Sequence, residues 1–103
     1  MFEYKEGRLI SQGAGQTYSY ERFAMLFDGS DSILLCMGDV ATVTAKYDVM
    51  CKCKPLEELS KPVLVVVDDI TEKFCEDINR MIDCTGYAKI WLRDNGYATS
   101  TMK

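Results

Sequence analysis

Five thiols stand out as the residues with distinctive chemistry: Cys36, Cys51, Cys53, Cys75 and Cys84, in a chain of 103 residues without a single histidine. Lack of histidine excludes a Ser-His-Asp triad, a Cys-His pair, an imidazole general base and a His-ligated zinc. A structural zinc site needs paired cysteines spaced C-x₂₋₄-C. The only close pair here is Cys51-x-Cys53. The thiols therefore read as small buried hydrophobes, and neither a metal nor a cofactor is implied. Their count is odd. The segment Met1–Glu6 lacks the basic and apolar regions of a secretory leader. Reduced thiols in a cytoplasmic protein are the expectation.

Acids form the second group. Asp68 and Asp69 close the β-branched run Val63–Val67, and strand ends often carry function. Val66-Val67-Asp68-Asp69, a helix and then Gly86-Tyr87 resemble the opening of a response-regulator receiver domain. That resemblance would imply a magnesium-binding acidic pair. It covers about a quarter of the chain and ends there. The phosphoacceptor Asp and the Lys that a receiver carries on later strands find no room in the 16 residues after Tyr87. A metal-dependent enzyme using Asp68 and Asp69 stands third among the functional readings. The same acids also serve as a helix cap and as favourable charge at a helix N-terminus.

Between Asp68 and Asp83 lie six acids: Asp68, Asp69, Glu72, Glu76, Asp77 and Asp83. Lys73 and Arg80 bring their sum to −4, the net charge of the whole chain. Such a face either stays solvated or docks on a basic protein surface. Trp91, beside Tyr87, Lys89 and Arg93, is either core or an interaction anchor. The partner-binding set is therefore Asp69, Glu72, Glu76, Asp77, Asp83 and Trp91. A separate reading uses Gly13-Ala14-Gly15, whose backbone N–H groups can approach a phosphate. Gly13, Gly15, Tyr18 and Tyr20 would then hold a nucleotide-like ligand. The loop lacks both the Lys-Ser/Thr ending of a P-loop and the third glycine of a dinucleotide fingerprint.

Several elements must position these groups. Strict alternation from Val40 to Lys54 predicts a long half-buried strand, or two strands bent at Tyr47-Asp48. Pro55 and Pro62 bracket a turn or two of helix carrying Leu56 and Leu59. Val63–Val67 predicts a strand buried on both faces. A helix over about 69–84 follows, with Asp69 and Glu72 as a capping box. Its buried stripe is Phe74, Ile78, Met81 and Ile82, with Lys73–Asp77 and Glu76–Arg80 pairs on its wet side. Gly86 would cap its C-terminus. Tyr87–Arg93 predicts a strand, and Asp94-Asn95-Gly96 a hairpin turn into a last strand over 97–102. That hairpin would leave an edge for pairing with a second copy, hence a homo-oligomer. Upstream, Phe2–Tyr4 and Arg8–Ser11 pair around Glu6-Gly7. Tyr18–Phe27 fits a strand, with Glu21, Phe23, Met25 and Phe27 aligned, or a second helix near 18–27, which its residue types favour, and Ile33–Met37 predicts a buried strand.

These pieces define one α+β domain over 1–103, with a mainly antiparallel sheet and the 69–84 helix on one face. An excess of acid argues against nucleic acid as partner, and no apolar run is long enough to span a membrane. The leading expectation is a small acidic non-enzymatic binding protein that inhibits or modulates a protein partner. Inhibitors, antitoxins, immunity proteins and phage anti-defence proteins share this size and charge.

Overall fold

A computed structural model describes residues 1–29, 32–53, 62–84 and 86–97, with Cys53 described through its backbone. Two antiparallel sheets and three helices make it α+β, as composition and patterning imply. The first sheet is a meander of β1 (Phe2–Lys5), β2 (Arg8–Gly13) and β3 (Gln16–Tyr20). Its first turn falls at Glu6-Gly7 as expected. Glu6 and Gly7 have φ of 50° and 79°, the doubly positive pattern of a tight hairpin. The second sheet contains β4 (Phe23–Asp28), β5 (Ile33–Gly38) and β6 (Val63–Val67), in the order β5-β4-β6.

Strand β4 organises the interior. All of Phe23–Phe27 is buried, and the period-2 alternation sends successive side chains to opposite faces. Phe23, Met25 and Phe27 join Leu9, Val65, Phe74, Ile78, Met81, Trp91 and Leu92 in the larger core. Ala24 and Leu26 meet Val43 in a smaller one on the other face. Helix α1 (Val40–Cys53) covers the smaller core. Helices α2 (Glu72–Asp83) and α3 (Tyr87–Asp94) cover the larger one.

Several sequence expectations are corrected. Val40–Cys53 is a helix, because Val40, Val43, Tyr47 and Met50 also recur at helical spacing and form its buried stripe. Asp39 caps it, its Oδ2 accepting the Thr42 N–H at 3.0 Å. Segment 18–27 is no helix: it contains the end of β3, a turn at Glu21-Arg22, and β4. Here burial between two neighbouring strands outweighs helix propensity. β6 and β5 are edge strands, so β6 is not buried on both faces and β5 is not a buried strand. Only Val65 of β6 is fully buried, while Ile33 and Leu35 of β5 are 42% and 45% exposed.

Helix α2 is capped by Thr71, whose Oγ1 accepts the Phe74 N–H at 3.0 Å, so the expected Asp69 capping box does not form. Its buried face is Phe74, Cys75, Asp77, Ile78 and Met81, and Ile82 turns outward. Cys84 ends it. Gly86 instead begins α3, which occupies the predicted strand at Tyr87–Arg93. Ala88, Trp91 and Leu92 are its buried residues. The expected hairpin turn is the closing turn of this helix. The Asn95 N–H donates to Trp91 O, and that of Tyr97 to Leu92 O. The last predicted strand beyond Tyr97 and the short helix at Leu56–Leu59 lie outside the described residues. No described helix is long and apolar enough to cross a membrane.

Candidate functional site

Two clamps position the outer side of α2. The Phe2 N–H donates to Asn79 Oδ1 at 2.8 Å, and Asn79 Nδ2 donates to Phe2 O at 2.9 Å, tying β1 to the helix. The Cys75 thiol also donates to Phe2 O, at 3.5 Å. Burial pushes that thiol's pKa up, and the charges of Glu76, Glu3 and Glu72 push it further. Glu3 of β1 thus adds to the acidic field of Glu72 and Glu76.

The six acids of this region divide by role. Asp77 is 7% exposed. Its carboxylate accepts the indole N–H of Trp91 at 3.0 Å and the Tyr87 hydroxyl at 3.3 Å, and pairs with Lys73 Nζ at 3.3 Å. Trp91 is also 7% exposed and stacks on Tyr97. These two members of the expected partner-binding set therefore face each other in the interior. Asp68 pairs with Arg22 at 2.6 Å. Asp69, Glu72, Glu76 and Asp83 remain exposed, and none has an ion-pair partner among the described residues. Of the local cations, Lys73 is held by Asp77 and Arg80 lies over the Tyr87 ring at 5.2 Å.

The expected ligand loop is a hairpin tip. Gly13 ends β2, and Ala14 and Gly15, with φ of 53° and 77°, form the turn. Tyr18 is exposed and donates its hydroxyl to Gln16 at 2.7 Å. Tyr20 sits opposite Leu9, at the far end of the hairpin, against Phe2 and Phe23. Burial raises its pKa, helped by the Asp39 charge. The structure thus does not bring Gly13 and Gly15 together with Tyr20. The thiols are equally dispersed: Cys51 and Cys84 are exposed and Cys75 is buried. No group of three metal-ligating side chains gathers among the described residues.

A surface that sequence reasoning missed lies across the second sheet from α2. A groove of about 900 Å³ runs between α1 and β5. A bulge opens it. Leu26 registers with Cys36 and Phe27 with Leu34, so Leu35 is extra in its strand. Bulges re-aim side chains at strand edges, and Leu35 lines the groove with Ala45, Val49 and Lys46. Val49 is 58% exposed. Reading 40–54 as a strand concealed this. The helical stripe Val40, Val43, Tyr47, Met50 was the available signal, since it leaves Ala41, Ala45 and Val49 off the buried side.

Comparisons with protein-family models, curated proteins and solved structures give no match.

Proposed function

We propose that this chain is a small non-enzymatic binding protein of the cytoplasm that recognises and modulates a protein partner through the acidic side of α2. One observation carries the reading: Glu72, Glu76 and Asp83 stand exposed on one helix, with Asp69 before it and Glu3 beside it. Of the nearby cations, Lys73 pairs with Asp77, and Arg80, held over the Tyr87 ring, offsets only one of these acids. A net negative patch of this kind attracts a basic surface and speeds encounter with it. Inhibition follows when that basic surface is the partner's own working site.

The test is capture of partners from native host lysate on the immobilised chain, followed by affinity measurement with the purified partner. Binding should weaken at least tenfold between about 50 and 300 mM salt, since exposed charges are screened beyond about a Debye length. The double variant Glu72→Lys, Glu76→Lys should weaken it further. A partner whose affinity ignores both changes would overturn the role of the acidic side.

A further inference from the structure

The α1–β5 groove lies on the opposite face of the second sheet from α2 and is independent of the acidic patch. Its wall is mostly carbon. Of its described polar members, Thr42 is already hydrogen-bonded to the Asp39 carboxylate and Cys36 offers only a weakly polar thiol, which leaves Lys46 as the charged group. No acid lines the groove, and Lys46 forms no ion pair among the described residues. A groove with one unpaired cation and no acid among its described lining residues, on a chain of net charge −4, selects an anion attached to an apolar body.

The geometry sets the size of that body. Ala41, Ala45 and Val49 follow one another at successive helical turns, giving a strip about 12 Å long, the reach of a medium alkyl chain. The groove volume falls within the range of small-molecule sites, about 300–1,000 Å³. Leu35, extruded by the bulge, closes one side of the strip. The same bulge disfavours edge-to-edge strand pairing at β5, which argues against an added strand as the occupant. We infer that the groove binds a free medium-chain alkyl carboxylate, its head at Lys46 and its chain along Ala41, Ala45 and Val49 against Leu35.

Titration of the ¹⁵N-labelled full chain with decanoate, below its micelle threshold, tests this. Saturable amide shifts should concentrate at Leu35, Ala45, Lys46 and Val49. Octanoate should bind about tenfold more weakly, because it lacks two buried methylenes. Lys46→Met should weaken decanoate about two- to fivefold, the range of a solvent-exposed ion pair. Leu35→Asp and, separately, Val49→Asp should remove saturation while leaving the Phe23 and Ile78 amides unmoved. Those two amides report that the variants fold. Equal binding of decyltrimethylammonium would overturn the anion selectivity. Shifts that never saturate, or that spread through both cores, would overturn the site. So would groove signals that move on diluting the free protein, which would mean a second copy covers it, or that respond only to anionic lipid vesicles.

Discussion

Asp77 shows how little a residue's type reveals of its role. At helical spacing it reads as the acid of an exposed Lys73–Asp77 pair, yet it accepts hydrogen bonds from Trp91 and Tyr87 in the interior. Removing a buried charge-bearing hydrogen-bond hub strands its donors, whereas Lys73 is 81% exposed and its pairing is solvent-screened. Asp77→Ala should therefore cost about 3 kcal/mol in urea denaturation, and Lys73→Ala under about 1 kcal/mol. Equal costs would mean that the lysine, not the tryptophan, anchors the carboxylate. Asp39 offers a pH test. The Thr42 N–H and hydroxyl donate to its carboxylate and hold its pKa below the ordinary value of 3.8. The stability it adds is present above the unfolded value and lost as pH falls through the lower folded value. The denaturation gap between the wild type and Asp39→Ala should thus narrow below about pH 4. A gap constant down to pH 2 would contradict the cap. Cys75 should stay slow to a thiol reagent at pH 8 while Cys51 and Cys84 react, because burial and three nearby carboxylates hold its pKa up.

Elements became legible where one periodicity dominated. α2 was readable because its apolar stripe has no competing alternation, although its cap was misplaced by two residues. Thr71→Ala should cost about 1 kcal/mol, as expected for a lost N-cap. Asp69→Ala should change stability by under about 0.5 kcal/mol, the range of surface substitutions. The reverse order, measured by thermal or urea unfolding, would restore the Asp69 cap. α1 was unreadable for a physical reason. Val40, Val43, Tyr47 and Met50 fit a helix, while Ala41, Val43, Ala45, Tyr47 and Val49 fit a strand, and the β-branched residues tilt the balance to strand. The tie is broken by long-range contacts, since β4 already has β5 and β6 as neighbours and its second face needs a lid. The same limit hid the groove, whose walls come from two elements. Asp69, Glu72, Glu76 and Asp83 were legible as exposed acids because burying an unpaired charge is costly. Asp77 escaped that rule because its donors sit 10 and 14 residues away.

At the scale of the molecule, β4 is shared by two interiors of unequal size. Among the described residues, the α2–α3 side joins thirteen buried ones, including Phe23, Phe74 and Trp91, whose rings meet edge to face in sequence. The α1 side has three among the described residues, Ala24, Leu26 and Val43. Hydrophobic stabilisation scales with apolar area removed from water, so the two layers should not open together. Helix α1 can detach while β4 remains covered below by α2 and α3. Detachment of α2 exposes the larger core and amounts to global unfolding. Native-state hydrogen exchange in increasing denaturant should therefore separate them. Amides of Val43–Met50 should exchange through a sub-global opening of lower free energy and smaller denaturant dependence than amides of Ile78, Met81 and Leu26. Val43→Ala should lower the α1 opening by about 1 kcal/mol or more while sparing α2. If both helices merge onto one isotherm at low denaturant, the layers are cooperative and the α1 side is no separate unit. Separation has a functional consequence, because the groove depends on α1 for one wall. Decanoate binding should then raise the opening free energy of α1 selectively, by mass action on the closed form, and leave the exchange of α2 unchanged.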